Sequence, residues 1–383
     1  MNIKIIRAAA ALAFSTGMLL HAGLAGAADF TTSEGFAETC AQMKKSDNKA
    51  QLATDDLRVA FVVCRDTALV RQIITWATLG MKQLETEHPS NEVIAGEVFK
   101  EIDYARTRLA ESRAVLESIH LGARKSLRLV PAQWSMDLNG DGKIDIWERY
   151  FFAIPKRGKQ AFSAALPNNE QSHYDNQYQL DAAIKVDQSD VLWALSYHCF
   201  IEGLLAGVRA FDLDANSDIR LARPELLKQS HQLILRGINT SEAMRKSVLA
   251  ETGDDEEWIG NPKQTSSVFP IELEAQDFAT WGKILVEWKA LWQGRHLLPV
   301  ARGGLLGQFN LCQPGTGLNI EKLYLRPPPK GTMVSATGFA QFVSPQCQKV
   351  DSNHSLSTLP DMIAHARETD TGLQFLRYLY WTN

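Results

Sequence analysis

The sequence has no surplus of positive charge: 40 Lys and Arg stand against 44 Asp and Glu in 383 residues, a formal net charge of -4. A nucleic-acid-binding surface is disfavoured, because such proteins carry a basic footprint. With 25 Gly and 14 Pro, the chain is neither collagen-like nor low-complexity. Beyond the first residues nothing approaches eighteen consecutive apolar residues, so no membrane-spanning helix is expected there. Cysteine is scarce at five, none spaced as C-x-x-C, which removes the usual zinc and dithiol patterns. Also missing are a G-x-S-x-G elbow, an H-E-x-x-H pair, a phosphate-binding glycine loop and a dinucleotide fingerprint; Gly315-Thr-Gly317 alone is none of these. What remains, 45% hydrophobic and 22% charged residues, suits a folded globular protein able to bury a sizeable core without disulfides.

Lys4 and Arg7 precede an Ala- and Leu-containing run from Ala8 to Leu20, and small residues follow at Ala25-Gly26-Ala27-Ala28. Two cations, an apolar stretch and small residues at the -3 and -1 positions are the parts of a secretory signal over residues 1–27, cleaved after Ala27 or Ala28. Cleavage leaves 38 cations against 44 acids. The expected location is therefore exported, periplasmic or secreted, with no membrane insertion of the mature chain. Disulfides persist in such a compartment. Cys40 and Cys64 flank a helix-turn-helix pattern, Cys312 and Cys347 bracket a Gly/Pro-rich stretch, and Cys199 lies in an apolar helix. We expect the first two pairs to be bonded and Cys199 to be a buried thiol, although four cysteines allow three connectivities.

The fold class expected is mainly α, a helical bundle with a loop-rich C-terminal third. Thr54 caps a segment that runs without Gly or Pro to Leu79, and after Pro89-Ser90 the residues Ile94, Val98, Ile102, Ala105, Leu109, Leu116 and Ile119 recur at helical steps. These two segments form a helical hairpin within region 28–130, with Lys100, Glu101, Arg106, Arg108, Glu111 and Arg113 on a solvated face. Region 131–236 follows, interrupted by a polar insertion over 155–187. Helical signals return at Asp190–Phe211, Pro224–Leu235, Ser241–Glu251 and Glu274–Trp292. Region 237–383 closes with a Gly/Pro-rich stretch and two short helices near 359–367 and 372–380.

The sharpest local signal is Asp137-Leu-Asn139-Gly-Asp141-Gly142-Lys143-Ile144-Asp145-Ile-Trp-Glu148. A calcium ion takes six to eight hard oxygens, and a twelve-residue loop supplies them from positions 1, 3, 5, 7, 9 and 12 when a glycine at position 6 permits the turn. Asp137, Asn139 and Asp141 offer side-chain oxygens, Lys143 its carbonyl, Asp145 a direct or water-mediated contact, and Glu148 both carboxylate oxygens. The segment resembles the loop of the EF-hand family. That resemblance covers the loop and its flanks alone and implies Ca2+ as the bound ion. Pro131 before the loop and Pro155 after it imply a short entering helix and an exiting helix of about two turns. Trp134, Trp147, Tyr150, Phe151 and Phe152 give the flanks an apolar face expected in the core.

A degenerate second loop runs from Asp214 through Asn216, Asp218, Ile219, Arg220 and Leu221 to Glu225. Asp214, Asn216, Asp218 and Glu225 fit ligand positions and Arg220 would offer its carbonyl. Ile219 stands where the turn glycine should be, a strained place for a β-branched residue. EF-hands usually pair through the residues at position 8, here Ile144 and Leu221, so the resemblance implies a discontinuous pair with those two side by side.

Catalytic candidates are sparse. His198 and Glu202 stand one helical turn apart and could act as acid and base or hold a metal, although a satisfied buried pair is the commoner arrangement. The acidic run Asp254-Asp255-Glu256-Glu257, within Glu251–Glu257, reads as a solvated helix end or, less commonly, an auxiliary acidic patch. The sequence therefore points to an exported calcium-binding protein that uses its loop for structure or interaction rather than catalysis, with an unidentified protein partner. The alternative is an exported enzyme, such as a hydrolase, on a calcium-braced scaffold.

Overall fold

A computed structural model describes residues 28–45, 52–87, 90–157, 171–213, 218–298, 312–313, 315–334 and 342–350. The leader, the expected helices near 359–367 and 372–380, and Asp214 and Asn216 of the second loop lie outside the described residues. The fold is mainly helical.

Helix α1 (Ser33–Lys45) leads to the hairpin of α2 (Asp55–Glu87) and α3 (Asn91–Leu116). Thr54 Oγ1 accepts from Leu57 N, the expected cap, and the Ser90 hydroxyl accepts from Val93 N, so both long helices start at a side-chain cap. Asp66 meets Ser112 and Gln72 meets Glu101 across the hairpin, the pattern of antiparallel helices. Its charged face is not simply solvated: Arg113 bonds the buried Glu202 at 2.7 Å, and Arg106 reaches Gln229.

Two short antiparallel ladders frame the middle of the chain. Strand β1 (Arg128–Leu129) pairs with β4 (Ile184–Lys185), and β2 (Ile154–Pro155) pairs with β3 (Tyr178–Gln179). The polar insertion therefore contains α5 (Gln171–Gln177), β3 and β4. Its residues 171–185 return to pair with what precedes them, a long-range pairing that local polarity does not reveal.

Helix α6 (Gln188–Arg209) is the central element, capped by Asp187, whose carboxylate accepts from Ser189 and Asp190 N–H. It is long and apolar enough to cross a membrane by length and composition, and half of its most apolar window is buried in the fold. It packs along α7 (Pro224–Ala250) and against α3. The two helical segments expected between Pro224 and Glu251 are one continuous helix. A Cβ at Gly237 would lie 2.8 Å from the Phe200 ring and one at Gly203 would lie 2.9 Å from Ile234. These glycines let α6 and α7 approach closely; Gly237 does not break the helix.

The core falls into three main apolar clusters. One joins α1 and α2 to Leu129, Trp134, Val186 and Val191. A second joins α6 and α7 to α8 (Ala275–Trp292) through Phe200, Ile238, Met244 and Trp281. The third sits under the C-terminal region, where β7 (Thr316–Leu318), α9 (Ile320–Leu325) and β8 (Cys347–Lys349) follow, with β7 and β8 paired antiparallel. Disulfides join Cys40 to Cys64 and Cys312 to Cys347, and Cys199 is free and buried, the expected connectivity. Burial pushes the Cys199 thiol up to about 11, which makes it unreactive.

Candidate metal centre

Residues 137–148 form an exposed loop with a buried base. Gly142, at the turn position, has φ 85° in open surroundings, and Gly140 has φ 76°. Both lie in the left-handed region that favours glycine. At Gly140 a Cβ would also press to 3.0 Å on the Thr75 methyl of α2.

Backbone N–H groups aim the acidic side chains. Asp137 Oδ1 accepts from Gly140 N at 2.6 Å and Oδ2 from Gly142 N at 3.1 Å. Asn139 Oδ1 accepts from Asp141 N, and Asp141 Oδ1 from Lys143 N. Each bond turns an oxygen back over its own loop. Glu148 is fully buried, and its carboxylate fastens the two ends together: Oε1 accepts from Leu138 N at 2.8 Å and Asn139 N at 3.1 Å, while Oε2 accepts from Asp145 N at 2.8 Å. Helix α2 braces the loop from outside through Thr75, which donates to Leu138 O at 2.7 Å, and Arg71, 3.6 Å from Asp137. Asp141, Lys143 and Asp145 are exposed, so the rim is open to solvent.

The flanks differ from the expectation. The entering helix is a single 3-10 turn, Pro131–Gln133, followed by extended chain. The exiting helix α4 (Ile146–Arg149) has one turn rather than two, because the chain bends back at 150–153 to form β2. Trp134 is buried, stacking on Phe36 at 5.5 Å, and Tyr150 stacks on Tyr174 at 5.0 Å, but Phe151 is exposed.

The second loop is not a helix-loop-helix. After α6 the chain forms β5 (Phe211–Leu213), which pairs with β6 (Ile219–Leu221) as a hairpin. Ile219 avoids the strained turn by being a strand residue, and Glu225 lies in the first turn of α7. Asp218 and Arg220 belong to the hairpin, with Arg220 opposite Asp212 on one side and Met333 on the other. The expected bridge between Ile144 and Leu221 is not formed. Leu221 N donates to Thr332 O, its carbonyl accepts from Gly331 N, and Ile219 O accepts from Val334 N. Segment 331–334 and β5 thus occupy both edges of β6, and no edge remains for another loop. Leu221 is fully buried, whereas Ile144 is exposed.

His198 and Glu202 are both buried and both engaged. His198 Nδ1 bonds Ala194 O, and Nε2 lies 3.0 Å from Asp66 Oδ2. Burial would lower the His198 pKa, but the Asp66 carboxylate outweighs it and raises the value. Ser112 donates to Asp66 as well, so the carboxylate stands between hydroxyl and imidazole, the wrong order for a histidine-activated serine.

The acidic run is solvated only in its first half, where Asp254 and Asp255 are exposed. Asp255 pairs with Lys185, Glu256 with Arg128, and Glu257, nearly fully buried, with Lys125. Among the described residues, the acidic trio whose oxygens lie within 4.8 Å of one another is Asp187, Glu251 and Glu257. Burial and then Asp187 push the Glu251 carboxyl up to about 7, and burial with Asp187 raises neighbouring Asp190 well above the ordinary Asp value. Sequence reading marked the stretch from Glu251 to Glu257 but not its meeting with Asp187, which lies more than sixty residues earlier in the chain. The carboxylates of loop 137–148 are not gathered as closely as that trio. Compared with known protein families, curated proteins and solved structures, the chain matches none of them.

Proposed function

We propose that this chain is an exported, non-catalytic calcium-binding protein whose loop Asp137–Glu148 holds one Ca2+ ion for structural or interaction purposes. The observation that carries the reading is Glu148: a fully buried carboxylate at position 12, bonded to backbone at both ends of a loop whose positions 1, 3 and 5 also turn oxygens inward. A divalent cation would replace those N–H partners with stronger charge neutralisation, using Asp137, Asn139, Asp141, the Lys143 carbonyl, Asp145 and Glu148. Asp218, Arg220 and Glu225 sit in or beside a hairpin, which supports assigning the ion to the first loop alone. The acid-base candidates of an enzyme, His198 and Glu202, are occupied by Asp66 and Arg113.

Calorimetric titration of Ca2+ into the chain lacking residues 1–27 tests the reading. One site is expected, with Kd on the order of 10⁻⁷ to 10⁻³ M, lost in Asp137→Ala. Absence of both heat and a calcium-dependent thermal shift in the wild type would overturn it.

A further inference from the structure

Three chain segments meet where α6 begins and α7 ends. Asp187 caps the start of α6, Glu251 caps the end of α7, and Glu257 comes from the loop that follows, so that each offers a carboxylate oxygen within 4.8 Å of the others. Asp187 and Glu257 are more than nine-tenths buried, at 7% and 2% exposure. A buried carboxylate has to be protonated, paired or bound to a metal. Among the described residues the cation that reaches the trio is Lys125, held by Glu257, while Lys185 and Arg128 are committed to Asp255 and Glu256. One positive charge thus faces three carboxylates, and Asp190 beside them adds to the negative field.

The oxygens themselves lack donors. Neither oxygen of Glu251 has a hydrogen-bond partner, and both are shut off from solvent. The donors beside it, the Ser189 hydroxyl and the Gln264 amide, are turned to Asp187 Oδ1 and to Gly253 O. Asp187 receives Ser189 N, the Ser189 hydroxyl and Asp190 N all on Oδ1, and Glu257 receives Lys125 and Asp255 N both on Oε1. Oδ2 of the first and Oε2 of the second have no donor among the described residues. Carboxylate oxygens that are gathered, buried and left without N–H or O–H partners are ligands for a cation. The carbonyl end of α7 favours positive charge at the same place.

We propose that Asp187, Glu251 and Glu257 hold a small, hard divalent cation, Mg2+ or Mn2+, at a second metal site that shares no residue with the calcium loop. Three carboxylates, one ammonium and one divalent ion sum to zero charge. Carboxylate and water oxygens suit Mg2+ and Mn2+, and Mg2+ is bound through few carboxylates with water completing its shell. Ca2+ takes six to eight oxygens, more than the trio leaves free. Bound there, the ion fastens the start of α6, the end of α7 and the loop after it to one another.

The probe is Mn2+, whose sharp solution EPR signal is lost on binding. It is titrated into the full chain carrying Asp137→Ala, which disables the calcium loop, so that failure of the loop reading leaves this test intact. We expect one Mn2+ bound per chain, displaced by Mg2+, and a Tm that rises with added Mn2+. Adding Glu251→Gln should weaken Mn2+ by at least about tenfold and remove the rise in Tm, while circular dichroism in EDTA reports a folded chain. Asp187→Asn, which keeps an acceptor for the α6 cap, should weaken Mn2+ to a similar degree and serves should the Gln variant not fold. No Mn2+ bound by the Asp137→Ala chain, or undiminished binding when a folded Glu251→Gln or Asp187→Asn variant is titrated, would overturn the proposal.

Discussion

A single carboxylate shows how closely stability and ion binding are joined in the loop. Glu148 accepts three backbone N–H bonds from a fully buried position. In Glu148→Gln one oxygen becomes an NH2 that faces N–H donors. A buried donor left without an acceptor costs about 1 to 3 kcal/mol. We expect denaturation in EDTA to show a loss of that size, and calcium titration to show a larger loss of affinity than in Asn139→Ala, whose oxygen accepts only one bond. Equal stability of Glu148→Gln and wild type in EDTA would contradict the bracing role. Arg71, half exposed and 3.6 Å from Asp137, competes with a cation for the same carboxylate. A solvent-screened pair of this kind is worth up to about 1 kcal/mol, so Arg71→Gln should tighten calcium binding by no more than a few-fold. Glu202 carries a different weight, being buried against Arg113. Removing one partner of a buried pair strands the other, and Glu202→Ala should cost about 3 to 5 kcal/mol in urea unfolding.

At the scale of elements, legibility followed the range of the interactions. Helices α2, α3, α6 and α8 could be read because apolar periods and caps are local: Thr54 marks the start of α2 by accepting from an N–H three residues on. The turn glycine of the first loop was legible for the same reason. Helix α7 was read as two pieces, Pro224–Leu235 and Ser241–Glu251; Gly237 lies between them, and the Phe200 ring that it packs against belongs to another helix. The second loop misled because its ligand-like spacing is local, whereas what makes it a hairpin is bonding to Gly331, Thr332 and Val334. The docking of Glu256 and Glu257 onto Arg128 and Lys125 was likewise invisible, since nothing near the acidic run announces those cations. The disulfides are the exception, long-range links expected from their setting. Cys40–Cys64 ties α1 to α2 across 24 residues. The double variant Cys40→Ser/Cys64→Ser should lose about 2 to 4 kcal/mol relative to the oxidised chain, chiefly by freeing the unfolded state. Denaturant midpoints that do not differ would show that α1 is held by packing alone.

For the whole molecule, two opposed sets of titrating groups set the pH of greatest stability. Asp254 is held below its usual range by backbone N–H bonds from Ser266 and Thr265, Asp255 by its bond to Lys185, and Glu256 by its bond to Arg128. Depressed carboxyls contribute stability that is present above their unfolded values, about 4, and lost as the pH falls below them. Glu251 and His198 act in the other direction. Burial moves Glu251 up to about 7, so the folded chain holds a proton that the unfolded chain releases near 4.5. Its contribution is complete below about 4.5 and gone above about 7. His198, raised above the ordinary histidine value of about 6.5 by Asp66 against the cost of burial, contributes below that value and loses its contribution as the pH rises through its folded pKa. Stability should therefore peak in mild acid, between about pH 4.5 and 6.5, and fall towards pH 8. Glu251→Gln removes the larger alkaline loss without removing the bulk of the side chain. Thermal unfolding of this variant in EDTA should show a higher Tm than wild type at pH 8 and little difference at pH 5. A wild-type Tm that rises from pH 5 to pH 8, or a Gln variant displaced equally at both, would mean that the cluster of Asp187, Glu251 and Glu257 is ionised and neutralised in the folded chain by Lys125 rather than proton-bearing.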